Sequence, residues 1–172
     1  MHIIQKLITG SAIIAVLACP AVSVSSESRE IGAVSTAFQF IGPNHKIVVS
    51  AFNDPKVNGI TCYIARPKTG GIKGGLGLAE DPSIASVSCA QTGPIVYNGK
   101  IDTGTDGEEV FDESRSFIFK TLKINRLYDK ENGTLVYVAR TTKVINGSPM
   151  TALSVVAPVN WNGVAAQRPE LK

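Results

Sequence analysis

"SFIFKTLKINRLYDKENGTLVYVARTTKV", Ser116 to Val144, decides the fold. In its first half Leu122 and Ile124 alternate with Thr121, Lys123 and Asn125. A period of two puts successive side chains on opposite faces of a strand, here one dry and one wet. The second half, "LVYVA" from Leu135 to Ala139, is apolar on both faces and reads as a more central strand. Between them "DKENG" holds Asn132-Gly133, a pair that tolerates positive φ and suits the tight turn of an antiparallel hairpin.

The same punctuation recurs along the chain. Asn-Gly also occurs at 58–59, 98–99, 146–147 and 162–163. Strand-like runs lie between these points: "KIVVSAF" (Lys46–Phe52), "ITCYIAR" (Ile60–Arg66) and "SIASVSCA" (Ser83–Ala90). Helical periodicity is weak. "PMTALSVVA", Pro149 to Ala157, reads as a short helix with Ser148 as N-cap and Pro149 at the first position, although Val155 and Val156 also suit a strand. The fold class is mainly β: an antiparallel sheet, as a sandwich or partly open barrel. One or two short helices and a long, disulfide-closed glycine-rich loop complete it.

The ends bear on compartment. "LITGSAIIAVLA", Leu7 to Ala18, is a short apolar run behind the weakly basic His2 and Lys6. A membrane-spanning helix needs roughly 20 apolar residues. Residues 1–23 therefore read as a secretory signal peptide, with small Ala21 and Ser23 at the cleavage region. Cys19 follows "VLA" as in a lipoprotein signal. Bulky Leu17 and the following Pro20 speak against lipid attachment there. Cleavage leaves roughly 150 residues, enough for one domain, assigned to residues 24–163, with 164–172 as a flexible tail. The mature protein is expected to be exported, and not an integral membrane protein.

The formal net charge of +3 is modest, and the few aromatic residues are scattered. Nucleic-acid binding usually requires a concentrated basic face, so no nucleic-acid partner is expected. The mature chain keeps two cysteines, Cys62 and Cys89, and in an exported protein two cysteines usually pair. A bridge across that span contributes about 3.5 kcal/mol by chain entropy.

Inside the bridge lies "TGGIKGGLGLAED", Thr69 to Asp81, with five glycines among the eight residues from Gly70 to Gly77. It fits no nucleotide fingerprint. Lys73 follows Ile72 with no adjacent Ser or Thr, and no Gly-x-Gly-x-x-Gly register exists. "GIKG" matches the four-letter clamp of an RNA-binding KH loop, but no helices flank it. Two readings stay open: a turned loop without ligand, or a nest of glycine amides that receives an anion. On the second, the candidate ligand-binding residues are Lys68, Gly70, Gly71, Lys73, Gly74, Gly75 and His45.

No catalytic residue and no metal ligand set is assigned, and no cofactor is expected. "DTGTDGEEVFDE", Asp102 to Glu113, departs from an EF-hand because Gly104 and Glu109 occupy ligand and apolar positions, so it reads as a solvated acidic turn. His45 is the last histidine after cleavage, follows the turn sequence "GPN", and reads as a surface-turn residue. No Gly-x-Ser-x-Gly elbow is present.

Four blocks carry a family resemblance: "IGPNHKIVVSAFNDP", "TCYIARPKTGGIKGGLGLAEDPS", "SC" with "GPI" soon after, and "SFIFKTLKINRLYD". Together they resemble the CreA family of exported Gram-negative bacterial proteins, from about Ile31 to Val159. Asn44 and Asn53 stand where that family tends to carry Asp. The resemblance implies a periplasmic protein that keeps the cysteine pair. It supplies no reaction, so no catalytic residue is carried over. The expected role is a non-enzymatic accessory or binding protein of the cell envelope, with a small anionic ligand or another envelope protein as partner. The alternatives are a hydrolase-like envelope enzyme using His45 or Glu80-Asp81, and a structural partner that docks through a strand edge.

Overall fold

The structure is a computed structural model that describes residues 26–76, 84–114, 121–145 and 148–172. The signal-like segment, Cys19 and the Glu80-Asp81 pair lie outside the described residues. Among the described residues eight strands follow in chain order: β1 (Arg29–Ala37), β2 (His45–Asn53), β3 (Val57–Lys68), β4 (Ser86–Tyr97), β5 (Glu108–Ser114), β6 (Thr121–Asp129), β7 (Thr134–Ile145) and β8 (Ser148–Val156). One helical turn, α1 (Gly71–Gly75), sits between β3 and β4.

The strands form two open antiparallel sheets, β1-β2-β3-β4 and β5-β6-β7-β8. Each sheet is a meander in which sequence neighbours are also spatial neighbours. Their inner faces share one core. Phe52, Val57, Ile60, Cys62, Ile64 and Ile95 come from the first sheet, and Phe111, Leu122, Ile124, Leu135, Tyr137 and Val156 from the second. The rings of Phe52 and Phe111 stack across the interface with centroids 4.5 Å apart. The sandwich alternative is thus the one observed.

The hairpin of the deciding stretch folds as read. Leu122 and Ile124 of β6 are buried, while Thr121, Lys123 and Asn125 between them are half-exposed. β7 lies between β6 and β8, so its run from Leu135 to Ala139 has a neighbour on each side. Asn132-Gly133 makes the hairpin turn, with Gly133 at φ +65° and Asp129 Oδ1 accepting from the Glu131 and Asn132 amides at 3.0 and 3.2 Å.

Two expectations need correction. Pro149–Ala157 is not a helix: residues 148–156 are strand β8, paired from Leu135↔Val156 to Ile145↔Ser148. A short isolated helix is marginal, and the β-branched residues gain more by completing the sheet. Pro149 is tolerated because β8 is an edge strand. Asn58-Gly59 is not a hairpin turn but an irregularity inside β3, where the register with β4 shifts and Gly59 takes φ +84°. A Cβ on Gly59 would overlap the Gly93 and Pro94 carbonyls, so glycine is required there. Near the C-terminus Leu171 forms a bridge with Ile101. The Ile101 amide donates to the Glu170 carbonyl at 2.8 Å and the Lys172 amide to the Ile101 carbonyl at 3.0 Å.

Candidate functional site

The glycine segment is shaped by an earlier turn of the chain, at residues 38–44. The Gly71 amide donates to the Pro43 carbonyl at 2.7 Å, and the Gly70 amide to His45 Nδ1 at 3.1 Å. A Cβ on Gly70 would overlap the Pro43 carbonyl oxygen and the Asn44 backbone. One on Gly42 would overlap Gly71, and one on Gly74 the Thr69 carbonyl. Gly71 itself sits at φ +76°. The glycines therefore let two backbones touch with nothing between them. The 38–44 turn is closed in addition by the Gln39 amide, which donates to Asn44 Oδ1 at 2.9 Å.

The candidate residues divide accordingly. His45, Gly70 and Gly71 are brought together, while Gly74 meets the Thr69 carbonyl of its own segment, and His45 acts as an acceptor that fastens one loop to the other. Two of the proposed nest amides are thus already committed to internal acceptors. An anion at this end would meet lysine ammonium groups first. Lys68 and Lys73 are both exposed. Lys68 stands directly opposite Lys46 in the β2–β3 ladder, a like-charge pair that sequence reasoning did not single out. Gly75 approaches only the Pro43 ring, at 3.4 Å from an added Cβ.

Cys62 and Cys89 form a disulfide between directly opposed positions of β3 and β4, both buried in the core. The bridge closes the glycine-containing segment as expected, but it does so mid-sheet. The ladder continues beyond it to Ala65↔Ser86, so the hairpin is stapled while the glycine turn is anchored by the 42–45 contact.

A buried charged centre was not found from sequence. Asp54 is fully buried at the β2–β3 turn. Its Oδ1 accepts from the Lys56 and Val57 amides at 2.8 and 2.9 Å and from Arg126 Nη1 at 2.5 Å. Its Oδ2 accepts from the Tyr137 hydroxyl at 2.7 Å. Arg126 reaches Glu108 through Nη2 at 2.6 Å, and Lys56 also pairs with Glu108. Burial, then the Asp54 charge and hydrogen bond, push the Tyr137 hydroxyl far up. Half-buried Tyr97 is pushed up to about 12, chiefly by desolvation and then by Tyr128. A second inter-sheet pair joins Arg66 of β3 to Glu113 of β5, with Ser50 Oγ on Arg66 Nη2 at 3.0 Å. One signal was available: Arg126 falls on the same strand face as Leu122 and Ile124, and Arg66 on that of Cys62 and Ile64.

This centre has few chemical options. Asp54 uses both oxygens on four donors, and Tyr137 donates to it. The whole ties the first sheet's turn to the second sheet. Beside it a shallow, open cavity of about 550 Å³ is lined by Asn53, Asn58, Thr61 and Thr92. Thr61 Oγ1 donates to Asn53 Oδ1 at 2.9 Å and lies 2.9 Å from Thr92 Oγ1.

The acidic stretch proves to be half strand. Glu108, Glu109 and Glu113 lie on β5, where Glu109 pairs with Lys123 at 2.9 Å, and its hydrogen bond raises the Lys123 pKa. Only its first part is a turn, capped by the Gly104 amide donating to Asp102 Oδ1 at 2.8 Å. Among the described residues no group of three or more His, Cys, Asp or Glu side chains could hold a metal ion. No helix among them is long and apolar enough to cross a membrane.

Comparison with known proteins bears on this arrangement. The family model described as CreA protein matches residues 31–161. The chain is 51% identical over 137 residues to Protein CreA of Escherichia coli strain K12, covering 79% of this chain and 87% of that protein. The same values hold for Protein CreA of Escherichia coli O157:H7. No solved structure matches.

Proposed function

This chain belongs to the CreA family, and from that premise we propose that it is an exported protein of the bacterial envelope that works as a non-enzymatic binding module. The observation that carries the proposal is the disulfide between Cys62 and Cys89, buried in the core of the first sheet. Such a bond persists in an oxidising compartment and not in the reducing cytosol. An apolar run of signal-peptide length at the N-terminus supports the same compartment.

Binding is assigned to the end of the first sheet where His45, Gly70 and Gly71 lock two turns together beside Lys68 and Lys73. The ligand class is an anion of the envelope. Native protein is alkylated without reductant and weighed by mass spectrometry. The expected outcome is that neither Cys62 nor Cys89 reacts, and reaction of both overturns the export proposal. Titration with inorganic phosphate, followed by amide NMR, is expected to move the signals of Lys68, Lys73 and their neighbours. An unchanged spectrum removes the anion assignment.

A second reading, docking of another envelope protein, has one observation in its favour. β1 has a single neighbour, β2, and all of it but Gly32 is exposed, so its outer edge is open for strand addition. Crosslinking in intact cells that captures only monomer would count against it.

A further inference from the structure

We propose that the end of the first sheet built by residues 38–46 and 67–76 docks onto an anionic lipid bilayer, its apolar tip entering the interface and its lysines meeting headgroup phosphates. The inference rests on the binding reading above and names the ligand as part of a membrane surface. Five large apolar side chains crowd this end and all are open to solvent: Phe38 79%, Phe40 92%, Ile41 63%, Ile72 58% and Leu76 68%. A single exposed apolar side chain needs no explanation, whereas a cluster marks an interaction surface.

The tip is also held open. Gly42 and Gly71 touch backbone to backbone, and the Gly71 amide is bonded to the Pro43 carbonyl. The two turns that carry Phe40, Ile41 and Ile72 therefore act as one body. Their inward surfaces are backbone and the His45 ring, and the large apolar side chains that flank the contact are open to solvent.

Charge identifies the partner. Lys46 and Lys68 are directly opposed in the ladder, and Lys73 lies in α1. Like charges directly opposite each other are unfavourable unless something negative arrives. Among the described residues no side-chain ion pair or side-chain hydrogen bond involves any of the three. Stretches 38–46 and 67–76 contain neither Asp nor Glu. In the facing sheet Glu113 is taken by Arg66. Aromatic and aliphatic side chains beside unpaired lysines match the two components of peripheral membrane binding, apolar insertion and attraction to anionic headgroups. Shape favours lipid over protein. Phe40, almost fully exposed, protrudes, and a bilayer accepts a protruding tip without a matching pocket.

The test is cosedimentation of the purified exported protein with vesicles of phosphatidylcholine alone and of phosphatidylcholine mixed with phosphatidylglycerol. Binding to the mixed vesicles is expected, weakening with salt. The triple variant Lys46→Gln, Lys68→Gln, Lys73→Gln should lose on the order of 100-fold in affinity. The pair Phe38→Ser, Phe40→Ser should lose roughly tenfold or more. A Phe40→Trp variant that also carries Trp161→Phe, so that its one indole is at position 40, should shift its emission to the blue on vesicle addition. Failure to bind the mixed vesicles, or equal binding by the variants, overturns the inference. So does indole emission from the Phe40→Trp variant that is already blue-shifted and shielded from iodide without lipid, which would mean that the chain covers its own tip. Conversion of a dimer to a monomer by Phe40→Ser, without lipid binding, overturns it in favour of a second copy. If inorganic phosphate moves the Lys68 and Lys73 signals while vesicles are ignored, the lipid inference falls and the anion reading stands. If neither binds, both fall.

Discussion

The two ends of the first sheet solve opposite problems. At the β2–β3 turn, Asp54 turns its carboxylate inward, caps its own turn and anchors Arg126 and Tyr137 of the facing sheet. At the other end the turns also grip each other, but through backbone and the His45 ring, and their large apolar side chains face solvent. The first end uses side chains to join the two sheets. The second is closed by backbone together with the Asn44 and His45 side chains, and turns its large apolar side chains and its lysines to solvent. Hydrogen bonds fix the turns at both ends, so the exposed side chains of the second end stand on turns that have partners. A locked scaffold with outward apolar and cationic groups is what a recognition surface requires.

The largest expected effect breaks the first end. Asp54→Ala leaves the Arg126 guanidinium buried without its main partner and frees two turn amides and the Tyr137 hydroxyl. Loss of one member of a buried pair costs about 3–5 kcal/mol. Urea denaturation should show it, and a loss under about 1 kcal/mol would remove the anchoring role. Next comes Gly70→Ala, where the added methyl overlaps the Pro43 carbonyl and must push the two turns apart. Overpacking of this kind costs about 1–3 kcal/mol. A neutral outcome would mean that the two turns are not locked.

A pH effect of about the same size or smaller follows from Tyr97. Its hydroxyl is raised to about 12 in the folded protein, against an ordinary value near 10. The folded state therefore holds the proton more tightly than the unfolded one. This contribution is complete below pH 10 and is lost as pH rises through 12. Because the ring is half-buried, the loss should be on the order of 1 kcal/mol, read from melting curves taken through that window. Tyr97→Phe should flatten the dependence, and an unchanged slope would place its origin elsewhere. The smallest effect is expected at the open tip. Phe40→Ser should change stability by no more than about 0.5 kcal/mol. A larger loss would show that Phe40 is packed, which would erase the contrast between the two ends.

Much of the architecture was legible because alternation and turn chemistry are local. β6 and β7 announce themselves by period and by Asn132-Gly133. β1 was not legible, since it is exposed on both faces and shows no alternation of burial. β8 was misread because a Ser-Pro start mimics a helix cap, while its strand state depends on β7. The glycines at 70, 71 and 74 could be seen but not explained. What demands the first two, the turn at 42–44, lies on the far side of a whole hairpin. The buried centre was hidden for the same reason: Asp54 and Arg126 are 72 residues apart. A charged residue on the dry face of a strand, as Arg126 is, was the one local hint.

The succession of strands has a further consequence. Residues 29–97 complete one sheet and residues 108–156 the other, with no strand exchanged between them. Hairpin pairings are short-range and both half-cystines belong to the earlier half, so that half can close its crosslink before the later half has folded. Bonds that clamp one half onto the other, Asp54–Arg126 and Arg66–Glu113, must then form last. Weakening them should speed unfolding far more than it slows folding.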